Sequence, residues 1–254
     1  VPTFFEPCAR LLVAEAGVRP GDRAIDVACG TGIVARFLAQ RVGPRGSVVG
    51  IDVNPGMVEA ANELALDARP EIAWQVGSAE ALPIADGAID VACCQQGLQF
   101  FADPAAAVSE LRRVLRPNGR LAIAVWRPIE HHATFEAFAA TLDEHLGRDM
   151  GEILRAPFAG PPLADLRAML DAVGFERVAA TIGSFTVRFS AAREFVRREI
   201  ASSPLAGRFD AQDEPTRDAL VDELDRRLQP WVDDAGITFP MVTWLITAVA
   251  GHAG

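Results

Sequence analysis

Through the first half of the chain, apolar runs of strand length alternate with stretches of helical periodicity. That alternation constrains the fold more than any other feature. Strands are expected at 23–28, 47–52 (SVVGID), 72–76 (IAWQV), 89–94 (IDVACC) and 120–126 (RLAIAVW). Helical patterns fit between them at 32–42, 54–67 and 104–116. An amphipathic helix is expected ahead of them at 3–17, where Phe4, Phe5, Cys8, Leu11, Leu12 and Glu15 recur near helical spacing. Near-continuous apolar strands joined by helices are the pattern of a parallel sheet covered on both faces. Local signals agree. Asp103-Pro104 puts a capping residue before a proline at the first helical position, and RPNGR at 116–120 closes that helix.

The second half changes character. Residues 133–146 and 162–173 read as helices, and 174–189 and 239–250 as strands. About fifty residues separate those two strands and carry two helical patterns, 191–201 and 214–229. So long a connection in an α/β fold is usually functional. The expectation is an α/β fold with a mostly parallel seven-stranded sheet and helices on both faces. It forms a single domain over 1–254, with a helical cap insertion at about 190–235.

Composition narrows the function. The chain has 254 residues, half of them hydrophobic, which is ample for one α/β core. The net charge is −10 and no basic stripe is present, so nucleic acid is not an expected partner. No run of eighteen apolar residues occurs, so no membrane insertion is expected. No secretory signal is visible, and an opening on Val1 rather than Met points to residues missing from the start. Cys8, Cys29, Cys93 and Cys94 fit no zinc spacing, and no metal site is expected. A reduced, cytoplasmic setting suits them best. All 24 basic residues are Arg, and Tyr is absent as well. Any mechanism that needs a Schiff-base lysine, a P-loop lysine or a Tyr/Lys acid–base pair is therefore excluded.

The stretch AIDVACGTG, Ala24 to Gly32, ends a strand in a glycine-rich turn that opens a helix. Extended to Ala35 it reads G-x-G-x-x-A, a loose form of the dinucleotide fingerprint and the start of a Rossmann-like fold. Gly30 and Gly32 let bare backbone N–H groups approach a ligand, and helix 32–42 aims its N-terminus there. Asp52 ends the next strand, twenty residues after Gly32, where a carboxylate can accept both ribose hydroxyls of an adenosine. Asp52 could instead cap the following helix, though Asn54-Pro55 fills that role better. Asp26 sits in a strand position that is normally apolar in dinucleotide folds, and an acid there can meet an ammonium group. Hydride transfer also needs a proton relay or a metal, and neither is offered.

At this point the chain resembles the class I S-adenosylmethionine-dependent methyltransferases. The motifs that carry the resemblance are AIDVACGTG, VVGIDVNPGMVEAA, GSAEALPIADGAIDVA and FFADPAAAVSELRRVLRPNGRLAIAVW. The resemblance covers roughly residues 1–126, and LADLRAMLDAVGFERV continues it more weakly. The chain is most similar to the small-molecule branch that includes ubiquinone/menaquinone-biosynthesis-type enzymes. The resemblance implies S-adenosyl-L-methionine as cofactor. Asp26, Ala28, Gly30, Thr31 and Gly32 would then line the methionine end, and Asp52 would hold the ribose. Val53 and Met57 would pack on the adenine, with a plain core role open for Met57. Ser78 and Ala79 would meet the adenine edge, and Gln95 would offer backbone near the methionine. Two positions depart from the family. Ser78 stands where Asp is common, with Glu80 as a possible substitute, and Gln99 stands where His is common.

Methyl transfer from a sulfonium needs alignment first, and a general base only if the acceptor must lose a proton. His131 and His132, after the fifth strand, are the candidate catalytic bases, with a solvated loop pair or helix cap as the alternative. Glu130 is a weaker candidate. His145 is expected on a helix surface and His252 in a tail. Trp126 either lines an acceptor pocket or ends a buried strand. The expected function is transfer of methyl to a small-molecule acceptor. The competing readings are a nicotinamide-dependent oxidoreductase and a non-catalytic cofactor-binding protein. The sequence does not fix the acceptor, the atom methylated or the oligomeric state.

Overall fold

A computed structural model describes residues 2–252. Its order of elements is α1 (Pro2–Glu15), β1 (Arg23–Val27), α2 (Ile33–Val42), β2 (Ser47–Asp52), α3 (Pro55–Leu64), β3 (Ile72–Val76), β4 (Ile89–Gln95), α4 (Pro104–Val114) and β5 (Leu115–Trp126). Then come α5 (Ala133–Leu146), α6 (Arg148–Arg155), α7 (Leu163–Ala172), β6 (Phe175–Phe189), α8 (Ala192–Ala201), α9 (Leu205–Asp210), α10 (Glu214–Arg227), β7 (Val232–Asp233) and β8 (Gly236–Ala250). The sheet runs β3-β2-β1-β4-β5-β8-β6, which gives the seven strands expected. An eighth, the two-residue β7, pairs only with β8. Strands β3 to β5 pair in parallel, and β8 runs antiparallel to β5.

Contacts divide the chain into two compact units. Among the described residues, one holds 5–126, 160–183 and 243–252; the other holds 2–4, 127–159 and 184–242. The expected insertion at 190–235 falls within the second of these.

In the first unit, the side chains of β1 alternate between two faces. Ile25 and Val27 join a buried cluster with Val108 and Leu111 of α4 and Leu166 and Leu170 of α7. Asp26 points the other way, to α2, where its Oδ2 accepts from Ala35 N at 2.9 Å. The local signals act as expected. Asp103 Oδ1 caps α4 through Ala106 N at 3.0 Å, and Asn54 Oδ1 caps α3 through Gly56 N at 2.9 Å.

RPNGR does not simply end a helix. Strand β5 starts at Leu115, opposite Ile89, and the register then jumps to Val91 opposite Arg120. The intervening residues bulge, with Asn118 in the left-handed region at φ 61°.

The second unit has a core of phenylalanines. Phe195 lies 5.0 Å from Phe239, 5.7 Å from Phe135 and 5.8 Å from Phe138, centroid to centroid. Edge and tilted arrangements of this kind are the favourable ones for aromatic rings. Helices α6 and α9 were not expected from the sequence.

Candidate cofactor site at the ends of β1, β2 and β4

The chain leaves β1 through three residues in the left-handed region, Ala28 (φ 56°), Gly30 (φ 52°) and Gly32 (φ 74°). Ala28 is a non-glycine residue in a conformation that costs energy, and such strain collects at functional sites. Several bonds hold the turn. Cys29 N donates to Ile51 O at 3.0 Å, Gly32 N to Cys29 O at 2.8 Å, and Arg36 Nη1 to Thr31 O at 2.6 Å. Asp52 joins the turn to the end of β2: Oδ2 accepts from Gly30 N at 2.8 Å and Oδ1 from Asn54 N at 2.9 Å. A carboxylate has about four acceptor sites, so each oxygen keeps capacity for a ribose hydroxyl. A Cβ built on Gly30 would meet no atom within 4 Å. Open space thus lies above a glycine whose backbone is fixed by the carboxylate expected to hold the ribose. These residues fit an adenosine-bearing cofactor.

Behind the turn sits a tryptophan that sequence reasoning missed. A Cβ on Gly32 would fall 2.2 Å from the Trp74 ring, and one on Gly50 would fall 2.3 Å from it. Trp74 is the parallel partner of Gly50. Its ring fills the space two glycines leave empty. Gly97 was missed as well, though a glycine just past a strand end was a visible signal. A Cβ there would lie 2.6 Å from that of Ala28, so the turns after β1 and β4 touch.

Among the residues expected to meet the adenine, Val53 is 72% exposed and Met57 42% exposed, so Met57 is not a core residue. Ser78 Oγ accepts from Glu80 N at 3.1 Å, which closes a short turn around the buried Ala79. Glu80 Oε1 accepts from Asp103 N at 2.9 Å, so it braces the start of α4. Helix α4 also pins the segment that follows. Glu110 Oε2 accepts from Leu82 N, and Arg113 donates to the carbonyls of Leu82 and Ile84.

Asp26 is 1% exposed, and burial pushes its carboxyl up to about 8. The Ala35 N–H partly offsets that, and the neighbouring Asp52 adds to it. Unfolded Asp loses its proton near 3.9. Between about pH 4 and pH 8 the folded state therefore holds a proton that the unfolded state has released. Stability contributed by this group falls as pH rises through that window and levels off above it. Asp26→Asn keeps an acceptor for Ala35 and removes the slope. The difference in unfolding free energy between wild type and Asp26→Asn should change by about 2–4 kcal/mol between pH 5 and pH 9 in urea titrations. A difference independent of pH would show that Asp26 stays ionised.

Gln95 is 8% exposed and reaches Phe5 O through Nε2 at 3.2 Å. Next to it Gln96 has φ 53° and joins three strands. Its Nε2 donates to Thr243 Oγ1 of β8 at 3.2 Å, and its Oε1 accepts from Trp126 N of β5 at 2.8 Å. Gln99, in the family's histidine position, donates to the same Oε1 at 3.2 Å. Trp126 is buried at its strand end.

His131 and His132 lie in the second unit. His131 is exposed, and its Nε2 accepts from Arg127 Nη2 at 2.8 Å. His132 is buried, its ring tilted against that of Phe158 with centroids 4.7 Å apart. Burial is the main cause that lowers its pKa to about 4, which the backbone of Arg127 and Val242 only partly opposes. A base that weak is poorly matched to proton abstraction near neutrality. His132→Ala is expected to lose about 2–4 kcal/mol of stability through the packing it removes, as urea denaturation would show. Unchanged stability would contradict this buried packing role. His145 is exposed, and the exposed His252 is 3.4 Å from Asn118 Nδ2. Among the described residues there is no cluster that could hold a metal ion.

Residues 25–123 match the family described as "Methyltransferase domain". The chain is 30% identical over 178 residues to the ubiquinone/menaquinone biosynthesis C-methyltransferase UbiE of Cupriavidus metallidurans, covering 65% of this chain and 72% of that one. It is 38% identical over 115 residues to the 2-phytyl-1,4-naphtoquinone methyltransferase of Trichormus variabilis, covering 44% and 50%. It spans 30% of an uncharacterized 37.1 kDa protein in transposon TN4556 of Streptomyces fradiae, at 46% identity. It thus covers less than two thirds of the length of some of its relatives. In fold, it is similar to the YcgJ protein of Bacillus subtilis, with a TM-score of 0.63 at 19% identity, covering 96% and 98% of the two chains. A further similar fold is phosphoethanolamine N-methyltransferase 2 of Haemonchus contortus, solved in complex with S-adenosyl-L-methionine (TM-score 0.58, 17% identity, 96% and 52% covered). With a strained glycine turn fixed by Asp52 and relatives of this kind, the chain belongs to the class I S-adenosylmethionine-dependent methyltransferases.

Proposed function

We propose that the chain transfers the methyl group of S-adenosylmethionine to a small-molecule acceptor. The observation that carries this is the Gly30–Asp52 contact beneath open space. When bound, the cofactor supplies a methyl group already activated on a sulfonium. The chain's own residues then bind and orient. Asp52 accepts from the ribose hydroxyls, Gly30, Thr31 and Gly32 offer backbone along the turn, and Val53 and Met57 cover the adenine. Ser78 and Ala79 meet the adenine edge. Asp26, Ala28 and Gln95 serve the methionine end.

The relatives named for quinone methylation support a small acceptor with an apolar body. The net charge of −10 argues against nucleic acid as acceptor. The segment 190–235 belongs, in this reading, to acceptor selection. If the acceptor must lose a proton, His131 is the better candidate of the histidine pair, once Arg127 has released its Nε2. A reduced, cytoplasmic setting suits four buried free thiols, and among the described residues no helix is long and apolar enough to cross a membrane.

Calorimetric titration with S-adenosylhomocysteine and, separately, NADH tests the cofactor. Binding of the first and not the second is expected. Binding of NADH alone would replace this reading by the nicotinamide one.

A further inference from the structure

One buried polar atom at the sheet's carboxyl edge has no donor among the described residues: Oε1 of Gln95. The amide's orientation is fixed by chemistry. Its other end faces the carbonyl of Phe5, which can only accept, so the nitrogen must lie there and the oxygen must point away. A buried carbonyl oxygen left unpaired is costly, and native proteins rarely tolerate one without a use for it.

Gln95 lies two residues beyond Cys93, the parallel partner of Asp26. Period-two alternation puts its side chain on the same face as Asp26. This is where the resemblance puts the methionine end, whose α-ammonium carries three N–H donors and no acceptor.

We infer that Gln95 is a latch: its Oε1 receives the ammonium of the cofactor's amino-acid end, while its Nε2 holds helix α1 through Phe5. The inference rests on the cofactor reading above. Oε1 is closed to solvent, so the atoms packed over it must shift for the ammonium to reach it. Binding of the amino-acid end then secures both halves of one amide, and α1 is held more firmly.

The test compares S-adenosylhomocysteine with 5′-methylthioadenosine, which keeps the adenosine and lacks the amino-acid end. Gln95→Met preserves shape and removes both the acceptor and the donor to Phe5. It should weaken S-adenosylhomocysteine about tenfold, the worth of one charge-assisted hydrogen bond, and leave methylthioadenosine unchanged. Gln95→Glu keeps an acceptor and loses the donor to Phe5. It should hold S-adenosylhomocysteine within about threefold of wild type while hydrogen exchange in α1 speeds up. In the wild type, S-adenosylhomocysteine should slow α1 exchange more than methylthioadenosine does. Equal losses for both ligands in Gln95→Met, or none for either, would overturn the latch and leave the cofactor reading standing. If the wild type binds neither ligand, the cofactor reading falls and takes the latch with it.

Discussion

Gly32→Ala should destabilise the fold by about 2–5 kcal/mol, with two separable causes. The new Cβ would meet the Trp74 ring at 2.2 Å, an overpacking that typically costs about 1–3 kcal/mol. The residue must also keep φ near 74°, which adds about 1–2 kcal/mol for any side chain. Gly50→Ala suffers only the first cause, because Gly50 is not in the left-handed region. Double-mutant cycles with Trp74→Ala separate them. In that background Gly50→Ala should lose most of its penalty, and Gly32→Ala should keep the backbone part. Urea denaturation reads both. If Trp74→Ala fails to relieve Gly50→Ala, the ring is not what the glycines accommodate.

Asp52→Ala should weaken S-adenosylhomocysteine by about 1.5–3 kcal/mol, roughly ten- to a hundredfold, as loss of charge-assisted hydrogen bonds does. It also strips acceptors from Gly30 N and Asn54 N, so the turn itself loosens. The ribose is common to both probe ligands. Methylthioadenosine should therefore weaken in parallel, in contrast to the selective loss expected at Gln95. Titration calorimetry on the purified variant decides it, with thermal unfolding to check that the fold survives. Affinity within a factor of two of wild type would remove Asp52 from the ribose site.

What could be read from the residues alone was local. Strands β1, β2 and β4 announced themselves as apolar runs, and the caps at Asn54 and Asp103 were visible because a cap and its partner are neighbours in sequence. The glycine turn and Asp52 could be paired because the β1–α2–β2 unit fixes their spacing. Helices α6 and α9 were hidden because each is short, eight and six residues, and interrupted by Gly151 or Gly207. Each spans only about two turns or fewer, too short a run to stand out as a helix. The start of β5 was hidden because Pro117 and Gly119 signal a turn, while the pairing of Leu115 with Ile89 comes from the sheet. Trp74 could not be linked to Gly32, since only the parallel register of β2 and β3 brings them together. Gln95 was visible as a position, but its partner Phe5 lies ninety residues away.

The four cysteines all belong to the unit that carries the glycine turn, and all are buried free thiols. Burial pushes Cys8 and Cys94 up to about 12 and raises Cys29 and Cys93 as well. Thiolate, not thiol, is the form that alkylating agents and oxidants attack. The four thiols should therefore react slowly with such reagents at neutral pH. Opening of the structure around them should speed that reaction, so the rate of thiol modification is expected to report opening in the unit that carries the glycine turn.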